Sequence, residues 1–400
     1  MEIVFGIDIS ATKSDVAVLI DGQAKLAFTI SNDKTGFNQL DDALNSYRQP
    51  LIIFEATGVY SRRLANYLMA HNWVYTQMNP LAAKKAMDSF RHIKTDTNDA
   101  RMLAQAMSRE HFRPTIPEQP IYRNLRSWER IYQNHTEDLV RTKNRLHRAL
   151  QIVFPGLEHV LSKPSGLLYW QIVSHFAHPA QVKGESLDHL VTLINGWSKH
   201  RLGASRSTPI TKRLIEEAKQ ASPAESPNGP DVLGAEELAQ EAQRLTDKQA
   251  EVIETMTKIG QDLPELDILT SVPGIGAKTA ICIIAELGDI RRFHSANAIN
   301  AYVGIDLVIY ESGGFKGQRH IRKCGNAYAR KILYQTVISM VATAHSQPTN
   351  ISRYYQKKKQ FSQSKGTKKI AIAAMARLIR TIYHLVRNNE SYDSRIFAAE

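Results

Sequence analysis

The chain has 400 residues, 43% of them hydrophobic, a formal net charge of +12 and a pI of about 9.5. That length predicts two or three domains, and the excess of Lys and Arg, clustered in segments such as Arg141-Thr142-Lys143-Asn144-Arg145 and Lys357-Lys358-Lys359, favours nucleic acid over an anionic membrane surface as partner. No run approaches the roughly 20 apolar residues of a spanning helix and the N-terminus has no basic signal region, while the two cysteines, Cys282 and Cys324, exclude a disulfide framework or a four-cysteine zinc site; a cytoplasmic, nucleoid-associated protein is expected.

In chain order, Glu2 to Ser10 is a short β-rich run, Ser14 to Ile20 returns as a second strand after a polar turn, and a third strand spans Lys25 to Ile30. Helical spacing then leads to Leu51-Ile52-Ile53-Phe54, a continuous apolar run expected of a strand buried on both faces, with Glu55 its first polar residue. A helix from Ser61 to Ala70, a strand near Trp73 to Gln77 and a helix starting near Thr95 complete an α/β domain that ends near Arg113, giving a first domain over 1–115.

A helical region over 116–264 follows. Leu125, Trp128, Ile131, Leu139, Leu146 and Leu150 recur at helical spacing between Ile121 and Phe154, predicting one long exposed or paired helix. Residues 161–234 read as mostly helical and then as an elaborated linker, with the Pro/Ser/Gly-rich stretch 221–234 as a flexible loop. Beyond it, Leu238, Ala242, Leu245, Gln249, Val252, Met256, Ile259 and Leu263 are spaced like a coiled-coil seam weakened at Gln249. The seam predicts antiparallel pairing with the Ile121–Phe154 helix or a subunit contact, and a globular helix with an apolar stripe would look much the same.

The last region, 265–400, opens on Val272-Pro273-Gly274-Ile275-Gly276 before the apolar helix Ala277 to Leu287. This resembles a helix-hairpin-helix module, whose glycine turn brings backbone N–H groups to a DNA phosphate. Gly274, Gly276 and Lys278 would make that contact. Lys368 to Val386 closes the chain as a basic amphipathic helix that packs on the core or meets nucleic acid.

Four acids stand out. Asp8 lies on the first strand, Glu55 ends a later buried strand, and Asp96 and Asp99 are three apart, which puts both on one helix face. Each alone reads as a strand end or a helix cap. Together, carboxylates far apart in sequence on elements that can converge are what two magnesium ions need, since such hard ions take oxygen ligands and bridge a scissile phosphate. The order strand-Asp, strand-Glu, helix Asp-x-x-Asp matches the RNase H-like fold of Holliday-junction resolvases. Gly6 to Lys13 also suits the phosphate turn of actin-like kinases, yet no second Asp-Gly-Gly phosphate loop accompanies it.

Ser312, in Glu311-Ser312-Gly313-Gly314, is followed by Lys316, Arg319, Arg322, Lys323 and Arg330. A serine becomes a nucleophile once a base or metal takes its proton and cations neutralise the phosphate it attacks. A turn serine among solvated cations is the bland alternative, and Tyr310 is a rival nucleophile.

Gly6-Ile7-Asp8-Ile9, Glu55-Ala56-Thr57-Gly58, Asn79-Pro80 and Lys94 to Ala100 resemble the first domain of the DEDD-type insertion-sequence transposases, the family of the pilin-gene invertase. Val272 to Gly276, Ala301-Tyr302-Val303-Gly304-Ile305, Glu311-Ser312-Gly313 and Lys323-Cys324-Gly325-Asn326 with Arg330 resemble the last. The resemblance implies a RuvC-like domain whose Asp8, Glu55, Asp96 and Asp99 bind magnesium, and a C-terminal transposase domain with Ser312 as nucleophile. It also implies a bridge RNA guide, and dimers or tetramers in which the acids of one subunit meet the serine of another. Leu307, where proline is usual, and Arg322, where serine is frequent, depart from the pattern. A DNA recombinase is the expectation; a junction endonuclease in which water attacks, an actin-like kinase or a non-catalytic DNA-binding scaffold are the alternatives.

Overall fold

A computed structural model describes residues 1–87, 96–116, 118–198, 202–308, 311–312, 315–316, 320–361 and 366–395; the side chains of 96–97, 308, 311–312 and 315–316 also lie outside the description. The chain divides into two compact units, Met1–Pro117 and Glu118–Glu400.

In the first unit the described elements are β1 (Ile3–Ile9), β2 (Lys13–Ile20), β3 (Gln23–Ser31), α1 (Lys34–Asn45), β4 (Leu51–Glu55), α2 (Ser61–Ala70), β5 (Tyr75–Met78), α3 (Pro80–Met87) and α4 (Asp96–Glu110). The strands form one mixed sheet in the order β3-β2-β1-β4-β5, with β1 antiparallel to β2 and parallel to β4. Side chains alternate between the faces, as the pleat requires. Ile3, Phe5, Ile7 and Ile9 of β1 join Ile52 and Phe54 of β4 under α1 and α2, while Val4 and Ile53 face Leu103, Ala104 and Met107 of α4. The polar turns are tied down locally. Asn32 Nδ2 donates to the carbonyls of Ser10 and Lys13 at 2.7 and 3.0 Å, and Asp33 caps α1 by accepting from the Gly36 N–H. Asn79 Oδ1 accepts from the Leu81 N–H at 2.9 Å, so Asn79-Pro80 starts α3.

The second unit opens with α5 (Pro120–Val153), then α6 (Leu167–His175), α7 (Pro179–Lys183), α8 (Leu187–Trp197), α9 (Gly203–Gln220) and α10 (Pro230–Gly260). α5 and α10 pack along one another. A Cβ on Gly260 would lie 3.7 Å from Leu125, and Gln249 Nε2 donates to Thr136 Oγ1 at 2.8 Å. Advancing along α5 thus retreats along α10, and the pair is antiparallel. The polar residue that interrupts the apolar seam has a polar partner across it.

Two sequence expectations need correction here. Residues 161–234 are no linker, because Trp170, Ile172, Leu190 and Leu214 are fully buried in a core shared with Leu146 and Leu150 of α5 and Ala239 and Ala242 of α10. Nor is 221–234 one flexible loop. Pro230 sits in the first turn of α10, where its fixed φ suits a helix start, Val232 is buried, and the Ala224 N–H donates to the Ile152 carbonyl at 2.9 Å.

After α10 come α11 (Pro264–Thr270), α12 (Ala277–Leu287) and α13 (Ala296–Val303), then two short antiparallel ladders: β6 (Leu307–Val308) with β9 (His320–Ile321) and, nested between them in sequence, β7 (Glu311–Ser312) with β8 (Phe315–Lys316). α14 (Ala327–Ala342), α15 (Asn350–Gln360) and α16 (Lys368–Asn388) finish the unit. The apolar stripe of α16, including Ala374, Leu378 and Ile382, is buried against the core of α12 and α14, so that face packs on protein. No described helix is long and apolar enough to cross a membrane.

Candidate active site

In the first unit, Gly6 explains how the acids meet. A Cβ there would stand 2.1 Å from the Ala100 carbonyl oxygen and 2.7 Å from the Ala104 nitrogen, so α4 crosses β1 backbone to backbone. His111 Nδ1 lies 3.5 Å from Glu2 Oε2, at the far end of both elements. α4 therefore runs back along β1, with its opening turn toward Asp8. Alternation places Asp8 on the α4 face with Val4 and Gly6, and Glu55 on that face with Ile53. Ile7 pairs with Phe54 in parallel register, so Asp8 and Glu55 come one residue later on adjacent strands.

Asp8, Glu55 and Asp99 are each partly exposed. Burial raises the Glu55 carboxyl above the usual carboxylate range, and the charge of Asp99 raises it further, which shows that a strand acid and a helix acid sense one another. Asp96 begins α4, but its side chain is outside the described residues. Among the described residues, no three of His, Cys, Asp and Glu converge tightly enough to hold a metal ion. The donors themselves, hard carboxylate oxygens that repel one another without a cation, suit a divalent ion such as magnesium.

Sequence reasoning missed Asp15. It pairs directly with Asp8 across the β1–β2 ladder, is 6% exposed, accepts from the Thr29 hydroxyl at 2.7 Å and lies 3.6 Å from Lys13 Nζ. An acid within the apolar run of the second strand was the available signal. In the turn before it, the Ser10 N–H and hydroxyl both donate to the Lys13 carbonyl, at 3.0 and 2.8 Å. Those two donors are thereby turned away from any phosphate of the kinase type.

In the second unit, Ser312 pairs with Phe315, and Glu311 with Lys316. The side chains of Ser312 and Lys316, and Tyr310, Gly313, Gly314 and Arg319 entirely, lie outside the described residues. Arg322 lies 3.5 Å from Asp306, the Lys323 backbone is left-handed with φ 57°, and Arg330 Nη1 donates to the Val303 carbonyl at 2.7 Å. Gly274, at φ +89°, turns the chain between α11 and α12 so closely that a Cβ would come within 2.8 Å of Met340. Gly276 starts α12 with no side-chain cap and open space at its Cβ position. Lys278 stands 4.9 Å from the Tyr132 ring centre, at the rim of a pocket of about 310 Å³.

The five-stranded sheet with its acids on one face and the largely helical second unit are consistent with an RNase H-like transposase domain joined to a helical one. Residues 5–155 match the family model of the IS110-type DEDD transposases, and residues 266–356 that of the transposases of the IS116/IS110/IS902 family. Similar proteins include a 44.8 kDa protein of insertion element IS116 from Streptomyces clavuligerus, 24% identical over 86% of this chain and 84% of its own length. Another, the pilin gene-inverting protein of Moraxella bovis, is 29% identical over 33% of this chain and 41% of its own length. The chain belongs to the IS110/IS116 family of insertion-sequence transposases, and is a DNA transposase or recombinase.

Proposed function

We propose that the chain is the site-specific recombinase of an insertion sequence, cutting and rejoining DNA through a covalent bond to Ser312. Asp8, Glu55, Asp96 and Asp99 of a RuvC-like domain would hold magnesium, two ions in all. The observation that carries this reading is the convergence on one sheet face of Asp8 and Glu55, with Asp99 near enough for its charge to act on Glu55.

A divalent ion bound there would stabilise negative charge on the attacking and leaving oxygens of a phosphodiester. The rest of the chemistry belongs to the chain. The Ser312 hydroxyl loses its proton and forms a bond to phosphorus as the phosphodiester's bond to the leaving strand breaks, and that strand departs as a free hydroxyl. Attack by the hydroxyl of a new strand reverses the step and frees the serine. Lys316, Arg319, Arg322 and Lys323 are the cations that would neutralise the phosphate. The uncapped start of α12, with Gly274, Gly276 and Lys278, would hold a DNA backbone phosphate in the manner of a helix-hairpin-helix.

The reading divides the chain into a catalytic domain over 1–115, a paired-helix region over 116–264 and a transposase domain over 265–400. Acids and serine fall in different units, and the reading includes a dimer or tetramer in which one subunit's acids serve another's serine, as the resemblance to the family implies. The net charge of +12 supports a structured RNA as guide, because a basic protein grips nucleic-acid backbone without reading sequence.

The test is a DNA substrate nicked beside the cleavage point, which removes the religation partner. A covalent protein–DNA complex should accumulate, with its DNA mapped by peptide sequencing to Ser312, and Ser312→Ala should abolish it while Tyr310→Phe should not. An adduct on Tyr310, or vigorous cleavage by Ser312→Ala, overturns the reading and leaves a nuclease that uses water.

A further inference from the structure

The segment that carries Ser312 lies between α13 and α14, and one buried cluster grips both of its ends. Glu286, on α12, is fully buried; its Oε2 accepts from Asn326 Nδ2 at 2.6 Å and from Arg130 Nη2 at 3.0 Å. Its carbonyl accepts from the Tyr302 hydroxyl at 3.2 Å. Asn326 in turn donates its N–H to the Tyr302 carbonyl at 2.8 Å and accepts from the N–H groups of Tyr328 and Ala329, which starts α14. Two glycines let the strands of this clasp close: a Cβ on Gly304 would lie 2.4 Å from the Cys324 carbonyl, and one on Gly325 2.4 Å from that of Tyr302.

Against the clasp, α5 places a second fully buried acid, Glu129. One of its oxygens accepts from Gln133 Nε2 at 2.6 Å, and Gln133 Oε1 accepts from Lys331 Nζ at 3.1 Å. Among the described residues, neither the other oxygen, Glu129 Oε2, nor Glu286 Oε1 has an N–H or hydroxyl donor. Arg130, the residue after Glu129 on α5, bonds Glu286, and Glu286 acts on Glu129 by hydrogen bond and charge; two buried carboxylates brought together in this way do not both ionise cheaply. A single proton held between them satisfies both orphaned oxygens.

We propose that Glu129 and Glu286 form a proton-sharing carboxyl pair that positions the Ser312 segment for strand cleavage. They are positioning residues, and their bearing on catalysis rests on Ser312 being the nucleophile. Around the pair stand Arg126 and Arg130 on α5, Lys278 and Cys282 on α12, Tyr302 on α13, and Tyr328 and Lys331 on α14. Arg130 lies across the Tyr328 ring at 3.5 Å and bonds Glu286 alone of the two acids. Cys282 is pushed up to about 12, first by burial and then by Glu129, so it stays a thiol.

Burial, then the hydrogen bond and the charge of Glu286, push Glu129 up to about 8 from the ordinary 4.5. The sign follows. Once the clasp opens, Glu129 ionises above 4.5, whereas the closed clasp keeps the proton to about pH 8. Closure is therefore strongest below pH 4.5, weakens as pH rises toward 8, and changes no further beyond it.

Hydrogen exchange on the full chain tests this, comparing wild type with Glu129→Gln at the same pH so that intrinsic exchange cancels. The glutamine amide donates to Glu286 at every pH. Peptides over 305–325 should exchange equally in the two proteins at about pH 4, and about tenfold or more faster in wild type at about pH 8.5. Equal rates at both values, or a difference spread evenly over residues 118–395, overturn the proposal. Should the variant fail to fold, infrared spectroscopy of wild type decides: a protonated-carboxyl band present at about pH 7 and gone by about pH 9.5 is expected, and its absence at pH 7 overturns it. Ser312→Ala should leave both readouts unchanged, so the clasp and the nucleophile stand or fall separately.

Discussion

Gly6 has no side chain because α4 leaves no room for one. Gly6→Ala forces the helix off the strand, which should cost about 1–3 kcal/mol in chemical denaturation. It should also lower strand cleavage well beyond what the lost folded fraction explains, because it moves Asp99 relative to Asp8. A variant that loses stability but keeps wild-type cleavage would show that the α4 crossing does not set the site. Asp8→Asn, Glu55→Gln and Asp99→Asn should each abolish cleavage with melting temperature and DNA binding nearly unchanged; cleavage that persists in EDTA contradicts a metal site. Asp8 and Glu55 were legible because strand alternation and the first polar residue after an apolar run are local signals. Asp15 was not, since its meaning comes from the cross-strand pairing with Asp8. Glu129 and Glu286 were still less so, because an acid in the Arg- and Lys-rich α5 reads as solvated surface and one in the last turn of the apolar α12 reads as a helix end, until the packing buries both.

Among the elements, the strands of the first unit and the helices α2, α5, α10, α12 and α16 were readable one by one, and α6 to α9 were not. α7 and α8 are brief and begin with local caps, His178 and Ser186, and α6 to α9 are held by burial rather than by a sustained repeat. Their claim to be a core element rests on Trp170, only 2% exposed. Trp170→Ala should destabilise the chain by about 3–5 kcal/mol in urea, followed by circular dichroism; a loss under 1 kcal/mol would return this region to the status of a linker. Across the seam, a double-mutant cycle of Gln249→Ala and Thr136→Val should give a coupling of about 0.5–1.5 kcal/mol. Zero coupling would make the Gln249 bond incidental.

For the whole molecule, residues 1–117 have cores on both sheet faces supplied by their own helices. Expressed alone, they should unfold cooperatively with a native dispersion of NMR signals, and a molten spectrum would refute their independence. The charge of +12 should make nucleic-acid affinity fall steeply with salt through counterion release. A flat salt dependence would remove the backbone-grip argument that supports an RNA guide.

The 34 residues of α5 make a rod of about 50 Å. Its first half lies in the core around Glu286 and its second in the core around Trp170. A rod rooted at both ends converts angle into distance, so a tilt of about 5° where Arg130 grips the clasp would sweep Val153, about 35 Å away, through about 3 Å. The buried proton and the distant helical cluster are thus connected mechanically, and a fluorophore near Trp170 would register a rearrangement at the clasp without touching it.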